Sequence, residues 1–341
     1  MTISIRSFGK INLGLTIGAL RRDGFHELRT IYQTITLADT VRLSLTRGSG
    51  IEIRCRDPRV PSDSTNTCFR IVERAIEFLG ARRRVVIEIE KRLPVQGGLG
   101  GASGNAVAAL LATERALRKE LAATERFRIA AEVGSDLPLF LVGGTVLGLG
   151  RGEEVYPLPD LPTFPCVLGL PEIRISTPQA FAAWDGLDTA GSGEALELRP
   201  GARVKLTARD RSARILEFNR EISAWLSERP FGRQRSGVSV KRGGRAENPL
   251  LDLVRTGIEN DFEQVVFPQH PEMREVKRLL KAAGAFYASL SGSGSALYGL
   301  FDSREKARLA VSRLRARGLR AVLTSTLPRR RYWNELSAAH V

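Results

Sequence analysis

The sequence predicts an α+β fold divided between two domains, residues 1–160 and 161–341. The first third alternates apolar and polar residues with the period of β-strands, and the last third alternates helical and strand patterns. Four prolines fall between residues 157 and 165, and this density of proline marks a boundary between the two parts. A chain of 341 residues is also long enough for two domains.

The chain begins with two strands that a tight turn connects. The segments "KINLGLTIGAL" and "HELRTIYQTITL" place apolar residues at alternate positions, as half-buried strands do. The Asp-Gly pair in "RRDGFH" is typical of a short connection between antiparallel strands. Phe25 and His26 are therefore predicted to lie just beyond this turn.

A helix and another strand follow and lead into a glycine-rich loop. The segment "TNTCFRIVERAIEFLG" carries apolar residues at helical spacing and stops at Gly80, while "RRVVIEIE" has the pattern of a strand. The next segment, "KRLPVQGGLGGASGNAVAALLA", has five glycines between Gly97 and Gly104, directly before an alanine-rich helix. Such clusters of glycine are kept where the backbone turns tightly or approaches a ligand closely.

A glycine loop before a helix presents free backbone N–H groups and the positive end of the helix dipole, which together bind anions, most often phosphate. The residues alone also allow a flexible loop or a close contact between helices. The loop lacks the Lys-Ser or Lys-Thr pair of a Walker A motif and the position and spacing of a dinucleotide-binding motif. The chain also lacks the protein-kinase motifs "HRD" and "DFG" and the hydrolase motif G-x-S-x-G. What remains is the pattern P-x-x-x-G-L-G-G-x-S from Pro94 to Ser103.

The second half predicts a smaller α+β sandwich. After the prolines, "CVLGLP" resumes the pattern of a strand. Residues 186–247 are rich in Gly, Arg and Ser, and we expect them to form a mobile segment that contains one helix, "RILEFNREISAWLSE". The segments "PEMREVKRLLKAAG", "AFYASLSGSGSALYGLF", "SREKARLAVSRLRARG" and "LRAVLTST" then alternate helix and strand.

The net charge of +15 favours a partner that carries several phosphates, either a nucleic acid or a small molecule. Of the basic clusters, "LPRRRYW" is the one with adjacent aromatic residues for stacking on bases. Three cysteines and three histidines, without paired spacings, indicate neither a zinc site nor a disulfide framework, and they suit a reducing cytoplasm. No apolar run approaches the length of about 18 residues that a membrane span needs, so we expect no membrane partner.

Four segments in the same order resemble the GHMP kinase superfamily. They are "GKINLGLTIGALRRDGFHELRTIYQTITLADTV", the glycine loop, "VGSDLPLFLVGGTVLGLGRGEEV" and "ASLSGSGSALYGLF". Within the superfamily, they are most similar to the branch that phosphorylates 4-diphosphocytidyl-2-C-methyl-D-erythritol. The resemblance covers residues 1 to about 180 and about 247 to 325, and any one of the four segments alone would be weak evidence.

The resemblance implies a two-lobed GHMP kinase fold, with an N-terminal ribosomal-protein-S5-domain-2-like lobe that binds ATP and a C-terminal ferredoxin-like lobe. The implied reaction is the transfer of a phosphoryl group from ATP, with Mg²⁺, to the 2-hydroxyl of the cytidine-containing substrate. This step belongs to the non-mevalonate route to isoprenoid precursors. Both substrates are anionic, in keeping with the basic chain.

The resemblance also implies the catalytic residues. Lys10, in "FGKIN", matches a lysine that stabilises the charge of the transferring phosphoryl group. Asp136, in "GSDLPLF", matches an aspartate that accepts the proton of the acceptor hydroxyl. Without the resemblance, Lys10 would be a solvated charge at the start of a strand and Asp136 would be the cap of a helix.

The implied binding residues form two groups. The ATP group comprises Pro94, Val95, Gln96, Gly97, Gly98, Leu99, Gly100, Gly101, Ala102, Ser103, Gly104 and Asn105, with Asn66 on the adenine side. The substrate group comprises Asn12, Phe25, His26, Thr177, Phe181, Gly292 and Gly294, the aromatic and imidazole rings lying against cytosine. From the residues alone, Asn66 also fits a helix N-cap, Phe181 a core residue and the last two glycines a tight turn.

Two positions depart from the pattern of the family. Gly104 stands where a second serine is common, and Phe25 where tyrosine is usual. We expect a serine at position 104 to be tolerated and to tighten the binding of Mg-ATP modestly. No carboxylate stands out in the sequence as a dedicated metal ligand, so Mg²⁺ is expected to arrive with ATP.

Two classes of alternative remain. Related kinases act on mevalonate, homoserine or galactose, but the segments "RRDGFHEL" and "STPQAF" favour a cytidine-containing substrate. From a different class, a basic RNA-binding protein would use the same charge for phosphate contacts. No RNA-binding signature accompanies the charge, so we expect a small-molecule substrate and no nucleic-acid partner.

Overall fold

The computed structural model describes residues 2–189 and 259–337, together with residues 215, 216, 218–220 and 222. Among them, six strands form a first sheet: β1 (Thr2–Leu20), β2 (His26–Thr46), β3 (Gly50–Cys55), β4 (Arg84–Glu90), β5 (Thr145–Leu149) and β6 (Glu154–Pro157). Its order is β3-β4-β2-β5-β6, with β1 paired to β2. Only the β3–β4 pair is parallel within this part of the chain. The predicted strands "KINLGLTIGAL", "HELRTIYQTITL" and "RRVVIEIE" are confirmed.

Four helices accompany the first sheet: α1 (Thr67–Phe78), α2 (Gly101–Leu117), α3 (Ala123–Val133) and α4 (Leu137–Phe140). The predicted end of α1 at Gly80 is confirmed, because this glycine has a left-handed φ of 58° just after the C-cap. Helix α2 begins at the glycine loop and is buried along most of its length. The apolar faces of α1 and α2 pack on the sheet and on each other, and they form the core of the first lobe.

The second sheet is antiparallel and contains β7 (Pro165–Leu170), β8 (Tyr287–Leu290), β9 (Leu297–Leu300) and β10 (Arg320–Ser325) in the order β10-β7-β9-β8. The remaining described helices are α5 (Thr177–Thr189), α6 (Glu263–Gln269), α7 (Pro271–Ala282), α8 (Arg304–Ala316) and α9 (Arg329–Ser337). Helices precede β8 and follow β9, as a ferredoxin-like arrangement requires. The predicted α+β class is confirmed, and so are the helices and strands predicted between residues 271 and 325.

The β1–β2 hairpin differs from the half-buried strands that the sequence predicted. Residues 7–18 of β1 are buried on both faces. The cause is the second lobe: Leu15 and Ile17 pack among the residues of α6 and α7, whereas Ile5 and Phe8 pack in the core of the first lobe. The alternation of apolar and polar residues indicates that one face of the strand packs in the core of its own lobe. It does not indicate the additional contact with the second lobe.

The end of the chain returns to the first lobe. Tyr332 in α9 is almost fully buried there, and its hydroxyl donates a hydrogen bond to the carbonyl oxygen of Phe140 at 2.6 Å. Trp333 donates its indole N–H to the carbonyl oxygen of Val142 at 3.0 Å. These are the aromatic residues of the "LPRRRYW" cluster, and because they pack internally they are not arranged to stack on nucleic-acid bases.

Strand β6 ends at Pro157 and β7 begins at Pro165, and we propose that the boundary between the two domains lies between them, near residue 160. The predicted mobile segment 186–247 lies largely outside the described residues. Within it, residues 215, 216, 218–220 and 222 are helical, where the sequence predicts a helix. No helix of the described part has both the length and the apolar character to cross a bilayer.

Candidate active site

The two residues predicted to be catalytic lie side by side. The Nζ atom of Lys10, in the middle of β1, is 3.3 Å from Oδ2 of Asp136, which directly precedes α4. The lysine side chain is only 4% exposed, and the aspartate side chain is 34% exposed. The lysine amide also donates a hydrogen bond of 2.9 Å to the carbonyl oxygen of Leu99 in the glycine loop. A buried cation and an accessible carboxylate therefore meet directly at this loop.

Asp136 does not cap the helix that it precedes. Its carboxylate makes no hydrogen bond to the backbone of α4. Instead, Oδ1 accepts a hydrogen bond of 3.1 Å from the hydroxyl of Tyr32 in β2, and Oδ2 faces Lys10. Burial, followed by the charge of Asp136, raises the pKa of Tyr32 well above its usual value, so the phenol stays a neutral donor. The arrangement favours the functional interpretation of Asp136 over the helix cap.

A chain of hydrogen bonds fixes the lysine. Its Nζ donates to Oδ1 of Asn12 at 2.7 Å, and Nδ2 of Asn12 donates to Oγ1 of Thr30 at 2.8 Å. The threonine hydroxyl then donates to the carbonyl oxygen of Gly14 at 2.7 Å. Because a threonine hydroxyl that donates to a carbonyl is left to accept from the amide, the orientation of Asn12 is determined.

The glycine loop meets the N-terminus of α2 without a side-chain cap. Gly100 is the N-cap residue and has a left-handed φ of 66°, so the N–H groups of the first turn have no side chain in front of them. Two of the glycines are required by close contacts. A Cβ atom on Gly98 would lie 2.0 Å from the carbonyl oxygen of Ser291, and one on Gly100 would lie 2.9 Å from the ring of Phe140.

A first cavity of about 370 Å³ opens onto this loop. It is lined by all the residues predicted to bind ATP except Gly104. Asn66 lines it and also caps α1, because its Oδ1 accepts a hydrogen bond from the amide of Cys68 at 2.8 Å. Both interpretations of Asn66 from the sequence are therefore compatible with its position. The cavity therefore lies in front of the uncapped N-terminus of α2, where a phosphate group can be bound.

Gly104 does not line the cavity, and its Cβ position faces β1. A Cβ atom there would be 2.8 Å from the backbone oxygen of Phe8 and 2.9 Å from Oγ of Ser7. These distances argue against the expectation that a serine at this position is tolerated and tightens the binding of Mg-ATP, because the helix packs directly on β1 at residue 104. The sequence shows that the loop precedes a helix but not which face of the first turn is buried.

The change Gly104→Ser is accordingly expected to lower the free energy of unfolding by about 1–3 kcal/mol through overpacking. Urea denaturation of the variant measures this loss. Gly186→Ser is a matched control, since this glycine also lies in a helix and no atom lies within 4 Å of its Cβ position. Unchanged stability of the Gly104 variant with tighter ATP binding would contradict the packing described above.

A second cavity, of about 670 Å³, adjoins the first. The two share Gly98 and Ser103, and the second contains Lys10 and Asp136. It is also lined by six of the seven residues predicted to bind the substrate: Asn12, Phe25, His26, Thr177, Phe181 and Gly292. Gly294 is the exception, since its Cβ position faces Leu290, Ile175 and Met273 in a neighbouring part of the lobe.

Aromatic rings surround one end of the second cavity. The rings of His26 and Phe181 are parallel, with centroids 5.1 Å apart. Phe25 is half exposed, and the guanidinium group of Arg151 lies 4.8 Å from the centre of its ring. Oγ1 of Thr177, which also lines the cavity, is 2.8 Å from Oγ of Ser293. The cavity thus has an aromatic end and a polar part that contains Lys10 and Asp136.

Loops from both lobes close the polar part. Oγ of Ser291 donates to the carbonyl oxygen of Gly98 at 2.9 Å, and the amide of Ala296 donates to that of Gly97 at 3.1 Å. Nδ2 of Asn260 donates to the carbonyl oxygens of Leu290 and Gly292 at 2.9 and 2.8 Å, which holds the second-lobe loop in place. The glycine loop before α2 and the loop between β8 and β9 therefore also form a contact between the two lobes.

Several residues of the site were not predicted from the sequence: Thr30, Tyr32, Arg151, Asp185 and Asn260. Tyr32 joins the site because the hairpin register places it opposite Asn12. Alternation in the sequence does not give that register, so it carried no signal for Tyr32.

Comparison with known proteins shows which family the chain belongs to. Residues 66–144 match the N-terminal domain of GHMP kinases, and residues 247–319 match their C-terminal domain. A 4-diphosphocytidyl-2-C-methyl-D-erythritol kinase of Solibacter usitatus is 36% identical over 91% of this chain and 84% of its own length. The enzyme of the same name from Acaryochloris marina is 34% identical over 91% of each chain.

Solved structures agree. A crystal structure of 4-(cytidine 5'-diphospho)-2C-methyl-D-erythritol kinase is similar with a TM-score of 0.67 and 28% identity, covering 94% of this chain and 98% of that one. Homoserine kinase from Cytophaga hutchinsonii has a TM-score of 0.65 at 19% identity, over 96% and 95% of the chains, and shares the fold. The chain therefore belongs to the GHMP kinases and, within them, to the family of 4-diphosphocytidyl-2-C-methyl-D-erythritol kinases.

Proposed function

We propose that the protein transfers the γ-phosphoryl group of ATP to the 2-hydroxyl of 4-diphosphocytidyl-2-C-methyl-D-erythritol. The observation that carries this proposal is the junction of two cavities at Gly98 and Ser103, beside the Lys10–Asp136 pair. One cavity fits a nucleotide donor and the other an elongated acceptor with an aromatic recognition end. The products are ADP and the 2-phosphate of the acceptor.

ATP is bound in the first cavity. Its phosphates lie on the N–H groups at the start of α2, where Gly100 leaves the first turn without a side-chain cap. The adenine lies on the side of Asn66, the N-cap residue of α1 that also lines this cavity. The γ-phosphate then reaches Gly98 and Ser103, the residues that both cavities share.

The chemistry takes place at the catalytic pair. Asp136 accepts the proton of the 2-hydroxyl as its oxygen bonds to the γ-phosphorus and the bond from that phosphorus to the oxygen of ADP breaks. Lys10 stabilises the charge on the transferring group, and its own position is held by Asn12. The Tyr32 hydroxyl donates a hydrogen bond to Oδ1, the carboxylate oxygen that does not face the lysine, and so orients the carboxylate. Phe25, His26, Phe181 and Thr177 bind the rest of the acceptor.

Mg²⁺ is the expected companion of ATP. Among the residues that the structure describes, no three His, Cys, Asp and Glu side chains cluster as a metal site. Asn105 lines the first cavity, and its Oδ1 is buried there without a hydrogen-bond partner. This oxygen and the Ser103 hydroxyl are hard donors of the kind that Mg²⁺ accepts, and we propose that they hold Mg-ATP. When bound there, the ion would neutralise part of the phosphate charge.

The state of the three cysteines supports a proposal about the cellular compartment of the protein. Cys55, Cys68 and Cys166 are free thiols, and burial raises the pKa of Cys68 to about 12. Together with the use of ATP, free thiols favour a cytoplasmic enzyme.

A coupled assay of ADP release tests the proposed function. The purified protein is given ATP and Mg²⁺ with 4-diphosphocytidyl-2-C-methyl-D-erythritol, mevalonate or homoserine as acceptor. We expect turnover with the first acceptor only, because the aromatic end of the cavity has nothing to bind in the other two. Preferred turnover of mevalonate or homoserine would assign the chain to another acceptor, and ADP release stimulated by RNA alone would support the RNA-binding alternative.

A further inference from the structure

One acidic residue lines the substrate cavity outside the catalytic pair. Asp185 lies on α5, eight residues beyond Thr177, which corresponds to about 12 Å along the helix. It lines the second cavity with Phe25, His26 and Phe181, at the aromatic end. Its side chain is 48% exposed, so the carboxylate is accessible to a bound molecule.

The imidazole of His26 holds this carboxylate. Nε2 lies 3.2 Å from Oδ1 and 3.4 Å from Oδ2 of Asp185, while Nδ1 lies 3.2 Å from the carbonyl oxygen of Gly18. A carbonyl oxygen and a carboxylate only accept hydrogen bonds, so the ring lies between two acceptors. The ring is 4% exposed and stacked on Phe181, which prevents it from turning. The carboxylate is therefore held against this ring at the aromatic end of the cavity.

A carboxylate in this place is unfavourable for an anionic substrate unless it meets a hydrogen-bond donor. The acceptor carries a diphosphate, and a second negative charge near it weakens binding. A cytosine that occupies the aromatic end brings such a donor, its exocyclic 4-amino group. Uracil has a carbonyl oxygen at the same position, which a carboxylate repels. Acidic side chains are the usual acceptors for the amino group of cytosine.

We propose that Asp185 accepts a hydrogen bond from the 4-amino group of the substrate's cytosine and thereby selects cytidine over uridine. His26, which itself lines the cavity, also positions this carboxylate. The assignment rests on the proposed function, since it requires the nucleobase to occupy the aromatic end of the cavity. It adds a source of base selectivity to the stacking that Phe25 and Phe181 supply.

The test compares two acceptors that differ only in the base, the cytidine substrate and its uridine analogue. In Asp185→Asn, the amide can still accept from cytosine but can also donate to the uracil oxygen. We expect the ratio of kcat/KM for cytidine over uridine to fall at least about tenfold, mainly through KM. The kcat with the cytidine substrate and the KM for ATP stay within about twofold of the parent values.

The control is Glu272→Gln, which alters a second histidine–carboxylate pair, with Nδ1 of His270 3.7 Å from Glu272, far from the cavity lining. It should leave the ratio unchanged. If Asp185→Asn raises KM equally for both acceptors, Asp185 only supports the structure around His26 and the proposal is overturned. Asp185→Ala, checked by its melting temperature, must also lower the ratio. Failure of the proposed function itself looks different, because the parent protein would then not phosphorylate the cytidine substrate.

Discussion

Replacing Asp136 by Asn is expected to slow phosphoryl transfer by about 10²- to 10⁴-fold, the range usual for the loss of a general base. Asn has nearly the same shape and still accepts a hydrogen bond from Tyr32, but it cannot take a proton at neutral pH. The affinities for ATP and for the cytidine substrate should change little, because the reacting hydroxyl is the one group of the two substrates that this carboxylate is proposed to contact. Single-turnover measurements with saturating ATP isolate the chemical step.

The melting temperature distinguishes this role from a structural one. Asp136 makes no capping bond to α4, so we expect the Asn variant to melt near the parent temperature. Asp160→Asn is the matched contrast, since its carboxylate accepts backbone N–H groups of Thr145 and Arg329 at 3.1 and 2.8 Å. That variant should lose stability while keeping its rate. Near-normal turnover in Asp136→Asn would rule out the catalytic assignment.

The second large effect is expected from Gly100→Val, which should abolish ATP binding. The residue has a left-handed φ of 66°, and a Cβ atom would lie 2.9 Å from Phe140 and 3.0 Å from Cγ of Lys10. A branched side chain therefore displaces the start of α2 and the catalytic lysine together. Isothermal titration with a non-hydrolysable ATP analogue measures the loss.

Gly80→Val separates backbone strain from the local contacts. Its φ of 58° is similar, but no atom lies within 4 Å of its Cβ position, and the residue follows α1 away from the cavity lining. Both variants carry a comparable conformational penalty, yet only the Gly100 variant should lose nucleotide binding. Unchanged ATP affinity in a folded Gly100 variant would place the phosphates elsewhere.

The parts of the site that the sequence predicted are those carried by local motifs. The glycine loop, its helix and the aspartate before "LPLF" each form within a short stretch of chain, so their chemistry can be read from neighbouring residues. Lys10 and Asp136 are 126 positions apart, and only the resemblance to a family connected them before the structure did. Their contact at 3.3 Å is what the family pattern implied.

The parts that the sequence did not predict depend on how distant segments meet. Tyr32 reaches Asp136 because of strand register, and Asp185 reaches His26 because α5 crosses the tip of the hairpin. The surroundings of Gly104 were not predicted for the same reason, since the backbone of β1 fills the space beside it. No pattern within either segment contains this information.

The β1–β2 hairpin also sets the length of molecule that the site accepts. Asn12 stands beside the catalytic lysine, and His26 pairs with Leu20, eight residues along the same strand, a span on the order of 25 Å. Residues 12–18, which make up most of this span, are buried on both faces, so the distance from Asn12 to the tip of the hairpin is set within one continuous strand. We therefore expect the site to select acceptors by length. An acceptor much shorter than the cytidine substrate would reach only one end of the span.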